Sequence, residues 1–307
     1  MKITDRFELS ACKNRKKFDI NHKEIPIKLS PDLDEAIKYL LWYVPNINSE
    51  QAKENDLLKN KEYDDYIFEE IMSFMNLSDR DVLFTDDIAT YILDDFRGEV
   101  CTDDQKIVMS LADGETKTMS LLRHIRNAIA HGNFNVIDKL VIGFDFKRLG
   151  GDKIEYRAIF KIRPDGLLKA LRKINFDFTS QEFIGLAFKN SGYFVEEYQE
   201  KYQKSHRFDL FAKKNDKRFA LEIRNYDYGR KIANEEVSKI IKAFEGSGKG
   251  IIPILIINSS YLTEESKEDL LRADFIILDI KNIKKMYKGR DMVSEILRDN
   301  AFLNKYN

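Results

Sequence analysis

Leu121–Phe134 reads L-L-R-H-I-R-N-A-I-A-H-G-N-F, and within it the pattern of the chain changes. Up to His131 the apolar residues recur at helical spacing. Past Gly132 they recur at every second residue, in K-L-V-I-G-F-D-F (139–146) and I-E-Y-R-A-I-F-K-I (154–162). The turn R-L-G-G-D-K (148–153) between those two runs predicts a β-hairpin. A helix that hands over to a hairpin implies an α+β first half.

Outward from this junction, the N-terminal side reads as helices. Ser30-Pro31 supplies an N-cap and an N1 proline for the periodic run to Tyr43. Y-D-D-Y-I-F-E-E-I-M-S-F-M (63–75) predicts a second helix, Asp86–Asp95 a third, and Asp103–His131 a fourth with a break near Asp113-Gly114. On the other side, P-D-G-L-L-K-A-L-R-K (164–173) predicts a helix that closes the unit. The second half alternates. Thr179-Ser180-Gln181-Glu182 has capping-box spacing. Strands are expected at 193–198, 206–213, 217–224, 251–258 and 274–279, with helices at 234–244 and 264–272 between them. That order predicts a mixed sheet flanked by helices. The expected organisation is two domains, 1–176 and 177–307.

Bulk properties narrow the function. The 307 residues carry 51 basic and 52 acidic side chains, a formal net charge of -1. A passive polyanion binder would be strongly basic. Two cysteines, Cys12 and Cys101, lie far apart without metal-ligand neighbours, so neither a disulfide nor a zinc site is expected. No apolar h-region opens the chain and no run has membrane-spanning length. The expectation is a cytoplasmic protein with no membrane contact.

The first candidate site lies on the opening helix. On a helical wheel of about 100° per residue, Leu121, Leu122, Ile125, Ala128 and Ile129 form the core stripe. Arg126 and His131 flank the polar face, about 140° apart by the same geometry, with Ala130 between them. Asn127 and His131 share one side, and His124 extends their row. The spread suits a cleft shared by two copies of the helix across a two-fold axis better than a lone metal site. His131 sits in the last turn, where the helix dipole favours a cation, and Gly132 is placed to end the helix. Histidine can move protons near neutrality, and a fixed arginine can hold charge developing on phosphorus.

R-N-A-I-A-H-G resembles the R-x4-H signature of the HEPN ribonucleases, with a polar residue after the arginine. The resemblance covers about Ser30–Lys173. It implies a helical bundle with a β-hairpin, a homodimer, and RNA cleavage without a metal that leaves a cyclic phosphate. Carried over, it makes Arg126, Asn127 and His131 the catalytic set. Arg123 and His124 lie outside the motif and are expected at most to touch substrate.

A second candidate site lies in R-F-D-L-F-A-K-K-N-D-K-R-F-A-L-E-I-R (207–224). Asn215-Asp216 suits a tight hairpin turn, which sets Lys214 opposite Lys217 and Asp209 opposite Glu222. Phe208, Leu210 and Ala212 then share an apolar face with Phe219, Leu221 and Ile223. The other face carries both carboxylates and Arg224. Facing carboxylates need a positive neighbour: a divalent cation, or Arg224 and Arg207. D-x12-E-x-R after a helix resembles the PD-(D/E)xK nuclease core of the Mrr-like restriction branch. That resemblance covers about Thr179–Ile283 and implies Mg2+ on Asp209 and Glu222. The lysine of the pattern is replaced by Arg224, which cannot deprotonate. Glu182 on the preceding helix is expected to serve as a cap.

The fusion implied is a dimeric RNA-cutting protein of prokaryotic defence or toxin type, with an antitoxin or regulatory partner. The alternatives are a Mg2+-dependent DNA nuclease with the helical half as dimeriser, and a non-catalytic nucleic-acid sensor. His22, His206, Trp42, Tyr43, the acidic run 64–70 and the basic run 281–290 need only structural readings.

Overall fold

The computed structural model describes residues 6–9, 11–12, 15–18, 29–43, 58, 60–150, 153–177, 180–197, 208–224, 231–245 and 250–306. His22, His206 and Arg207, and the Trp42 and Tyr43 side chains, lie outside what it describes. The chain divides into two compact units, Met1–Phe178 and Thr179–Asn307.

In the first unit the elements run β1 (Arg15–Phe18), α1 (Pro31–Tyr43), α2 (Lys61–Phe74), β2 (Val82–Phe84), α3 (Thr90–Asp94), β3 (Gly98–Cys101), β4 (Lys106–Met109), α4 (Lys117–Ala130), β5 (Phe134–Ile137), β6 (Leu140–Arg148), β7 (Ile154–Ile162) and α5 (Pro164–Asp177). The expected helical bundle with one hairpin is corrected here. The β6–β7 hairpin is the centre of a five-stranded sheet, order β2-β4-β7-β6-β5, and β1 pairs with β3 in a separate ribbon. The fourth helix starts at Lys117, not Asp103, because Lys106–Met109 is a strand; the third covers only Thr90–Asp94. These strands have three or four residues, and all four of β4 are buried, so no alternation marks them.

Helix α4 lies on this sheet. Leu121, Leu122, Ile125 and Ala128 are each at most 1% exposed, and full burial of a large apolar side chain stabilises by roughly 1.5–3 kcal/mol. The opposite sheet face is covered by α3 and β3, where Ile92, Leu93, Phe96 and Val100 pack on Val108, Ile142, Phe144 and Ile159. Gly143 is required by close approach: a Cβ there would lie 2.2 Å from the Phe160 ring, its cross-strand neighbour.

The two cysteines, far apart in sequence, are paired as a disulfide. This corrects the expectation of no disulfide. Antiparallel pairing of β1 with β3, Arg15 opposite Cys101, carries the N-terminal segment to the buried cysteine.

The second unit runs α6 (Ser180–Asn190), β8 (Phe194–Glu197), β9 (Leu210–Lys214), β10 (Lys217–Ile223), α7 (Asn234–Glu245), β11 (Ile251–Ile256), α8 (Glu264–Arg272), β12 (Ile276–Leu278), α9 (Ile280–Tyr287) and α10 (Met292–Tyr306). Its sheet has the order β12-β11-β10-β9-β8. β8, β9 and β10 form an antiparallel meander, while β11 and β12 add in parallel after helical crossovers. The basic run 281–290, expected as a solvated surface, is largely α9, whose Ile283 and Met286 are buried. The expected register holds from Lys214 opposite Lys217 to Leu210 opposite Leu221. Phe208 departs from it: it stacks on Phe244 of α7, centroids 4.1 Å apart, in the same cluster as Ala220. The chain bends at Asp209 before β9 begins, which breaks the alternation.

Candidate functional site

The first site is built at the C-terminal end of α4. Its N-terminus is anchored twice. Thr116 caps it by accepting from Met119 N at 3.1 Å, and the Asp64 carboxylate of α2 accepts from Lys117 N at 2.7 Å and Thr118 N at 3.1 Å. Those contacts satisfy three amides that have no partner within the helix. Burial nonetheless pushes the Asp64 carboxyl above its ordinary value. At the other end Gly132 takes φ +66°, with Gly132 N bonded to Ile129 O and Asn133 N to Ala128 O. This Schellman closure places His131 at the C-cap with its side chain exposed.

Arg126 and Asn127 are half-buried beside it, and Ala130 is exposed. Arg126 Nη1 donates to Asn127 Oδ1 at 3.1 Å, and Asn127 Nδ2 donates to Asp145 Oδ2 at 3.3 Å. Asp145 is on β6, next to a bulge in its pairing with β7. The same carboxylate oxygen lies 2.6 Å from His124 Nδ1. Burial pushes the Asp145 carboxyl up, but His124, Asn127 and Arg123 together hold it below the usual carboxylate range.

Of Arg123 and His124, expected at most to touch substrate, His124 is buried, which corrects its reading, while Arg123 is half-buried and engaged by an acid. His124 is 1% exposed, with Nδ1 on Asp145 and Nε2 3.0 Å from Ser110 O. Arg123 makes a two-pronged pair with Glu115, Nε to Oε1 at 2.7 Å and Nη2 to Oε2 at 2.8 Å. Both residues brace the helix against its surroundings. Reading the motif alone missed Asp145 and Glu115. The signal for Asp145 was present: a single acid inside the apolar run V-I-G-F-D-F.

At the second site, Asp209 Oδ2 accepts from Ile223 N at 2.7 Å, and Asp209 N donates to Leu221 O at 3.1 Å. Gln181 of α6 reaches the Asp209 carbonyl at 3.0 Å. Glu222, 3% exposed, is ion-paired with Arg224. A cavity of about 470 Å3 opens beside Arg224, lined by Ala233, Glu235, Glu236, Lys239 and Ile240. Arg224 supplies a counter-charge to Glu222, and Asp209 Oδ2 is engaged by a backbone amide, so the positive neighbour expected for the two carboxylates includes Arg224. Glu182 is exposed, and Thr179, its expected capping partner, lies outside the described residues.

Residues 39–184, which include the helix ending in Arg126-Asn127-x3-His131, match the family model described as HEPN pEK499 p136. Most of the matched stretch falls in the first unit, which is thus similar to that family. No curated protein sequence matches the chain. Several solved structures are similar. A protein of unknown function, AF1548, is 14% identical with TM-score 0.27, over 32% of this chain and 64% of that one. A repair endonuclease from Pyrococcus abyssi is 17% identical with TM-score 0.26, over 47% of this chain and 63% of that one. Can2 from Sulfobacillus thermosulfidooxidans, in complex with cyclic tetra-adenylate, is 11% identical with TM-score 0.28, over 59% and 75%. The chain thus spans less than two thirds of the first two. Among the described residues, no helix is long and apolar enough to cross a membrane.

Proposed function

We propose that the chain is a metal-independent endoribonuclease of HEPN type that acts as a homodimer. The observation that carries this reading is the placement of Arg126, Asn127 and His131 on one helix end, with His131 in solvent and Arg126 held by Asn127. An RNA 2'-hydroxyl attacks the adjacent phosphorus, the bond to the 5'-oxygen breaks, and a 2',3'-cyclic phosphate and a 5'-hydroxyl remain. His131 takes and returns the proton, and Arg126 stabilises the charge on the phosphoryl oxygens. Ala130, exposed between them, lets a second copy of the helix approach. Cytoplasmic RNA cutting of this kind fits a defence or toxin role, held in check by an antitoxin or regulatory partner.

For the second unit, the Glu222–Arg224 pair favours a nucleic-acid-binding role over Mg2+-dependent DNA cleavage. One assay separates the readings: labelled RNA and DNA incubated with the purified chain in EDTA and in magnesium. RNA cut equally in both, and lost in His131→Ala, supports the ribonuclease. DNA cut only with magnesium, and lost in Glu222→Ala, supports the rival enzyme. A monomer by sedimentation at assay concentrations would remove the shared cleft.

A further inference from the structure

We propose that Asp145 is a positioning residue for the Arg126–Asn127–His131 site, acting through the Asn127 side-chain amide. This rests on the ribonuclease reading for its kinetic part. The geometry is directional. An ionised carboxylate only accepts hydrogen bonds, so it fixes the Asn127 amide with its NH2 toward Asp145 and its oxygen toward Arg126. The contacts run in that sense, Arg126 Nη1 to Asn127 Oδ1 at 3.1 Å and Asn127 Nδ2 to Asp145 Oδ2 at 3.3 Å. Turned over, the amide would set its NH2 against the guanidinium, donor against donor.

Asp145 is itself held. His124 Nδ1 is 2.6 Å from Oδ2, and Arg123 Nη1 is 3.9 Å from the same oxygen. Arg123 is tied in turn to Glu115, which also accepts from Ser120. A chain of buried and half-buried side chains thus links the hairpin to the arginine that would meet the phosphate. It does so from a different element, β6, so that the sheet aligns the helix end. Among the described residues, none hydrogen-bonds the buried Arg126 Nε, and the Asn127 contact orients the guanidinium on this side.

The test is a double-mutant cycle on the full chain with a fluorophore-labelled single-stranded RNA of mixed sequence. Asp145→Asn should lower kcat about 10- to 100-fold, the scale of a small misplacement at a reacting centre, with KM changed less than about threefold. In an Asn127→Ala background the same substitution should leave kcat unchanged, while its effect on Tm persists in both backgrounds. Equal kcat losses in both backgrounds would mean a structural role only and overturn the proposal. Asp145→Glu, which keeps the charge for His124 but moves the carboxylate, should reproduce the kcat loss if Asp145→Asn does not fold. The Asn127 side-chain NH2 signal in nitrogen-edited NMR gives an independent readout. It should move toward the solvent-exposed position in Asp145→Glu, and an unmoved signal would also overturn the proposal. A wild-type chain that cuts no RNA sinks the ribonuclease reading, while the NMR readout still judges the Asp145–Asn127 contact.

Discussion

At the scale of single residues, charge burial separates the bracing side chains from the reactive ones. Lys161 is fully buried, with Asp104 Oδ1 at 2.7 Å and Asp95 Oδ2 at 3.4 Å. Asp95 also takes Arg15 at 2.9 Å. Removing Asp95 takes away one of two carboxylates facing the buried Lys161 and leaves Asp104 in place, so Asp95→Ala should destabilise the chain by about 1.5–3 kcal/mol, the scale of a hydrogen bond to a charged group, read from urea unfolding. His131, by contrast, is exposed at a helix end. His131→Ala should leave the urea midpoint within experimental error while abolishing RNA cleavage, and a large drop in stability would count against a purely chemical role. Acid should act through Asp145 and Glu115, whose carboxyls are held below 3.8 and 4.5, the ordinary values. A depressed carboxyl contributes stability that is full above its unfolded value and lost as pH falls through the folded one. Stability measured across pH 5 to 2 should therefore fall, and Asp145→Asn should flatten that fall. Asp64 works in the opposite sense, since its carboxyl is raised and ionising it as pH rises costs stability.

At the scale of elements, the closure of α4 and the β6–β7 pairing set the site. Gly132 adopts φ +66°, a region where a Cβ is disfavoured, but among the described residues nothing lies within 4 Å of the added atom. Gly132→Ala should therefore cost about 1 kcal/mol from backbone strain alone, with cleavage lowered as the His131 cap shifts. Gly143→Ala is a different case, because the new Cβ would sit 2.2 Å from Phe160. Overpacking of that kind costs about 1–3 kcal/mol, and thermal melting of the two variants should rank Gly143→Ala as the more damaging. The helices and the long hairpin were legible because their apolar spacing runs over nine residues or more. The short strands β2, β3 and β4 were not, since three or four residues hold too few alternations to distinguish a period of two from 3.6.

At the scale of the whole molecule, long-range pairing supplies what local pattern lacks. The Cys12–Cys101 link closes 89 residues of chain, bringing β1 against β3. Closing a long loop restricts the unfolded chain, so the double Cys→Ser variant should lose about 2–4 kcal/mol relative to the oxidised protein, and reductant should abolish that difference. The α-β-β-β-α-β-α-β order of the second unit from α6 to β12 was readable from alternating periods, and its hairpin register from Asn215-Asp216, where Asn215 adopts φ +53°.

Local pattern by itself determined the helix carrying Arg126, Asn127 and His131, its stop at Gly132, and the two hairpins, because each depends on neighbours close in sequence. Only the tertiary structure decided that the first unit is built on a five-stranded sheet, that His124 is a buried brace, and that Asp145 stands behind Asn127. The same holds for Arg224, whose pairing with Glu222 sets the charge of the second site. These are matters of which charge meets which in a desolvated interior, and such partners are set by packing rather than by spacing along the chain.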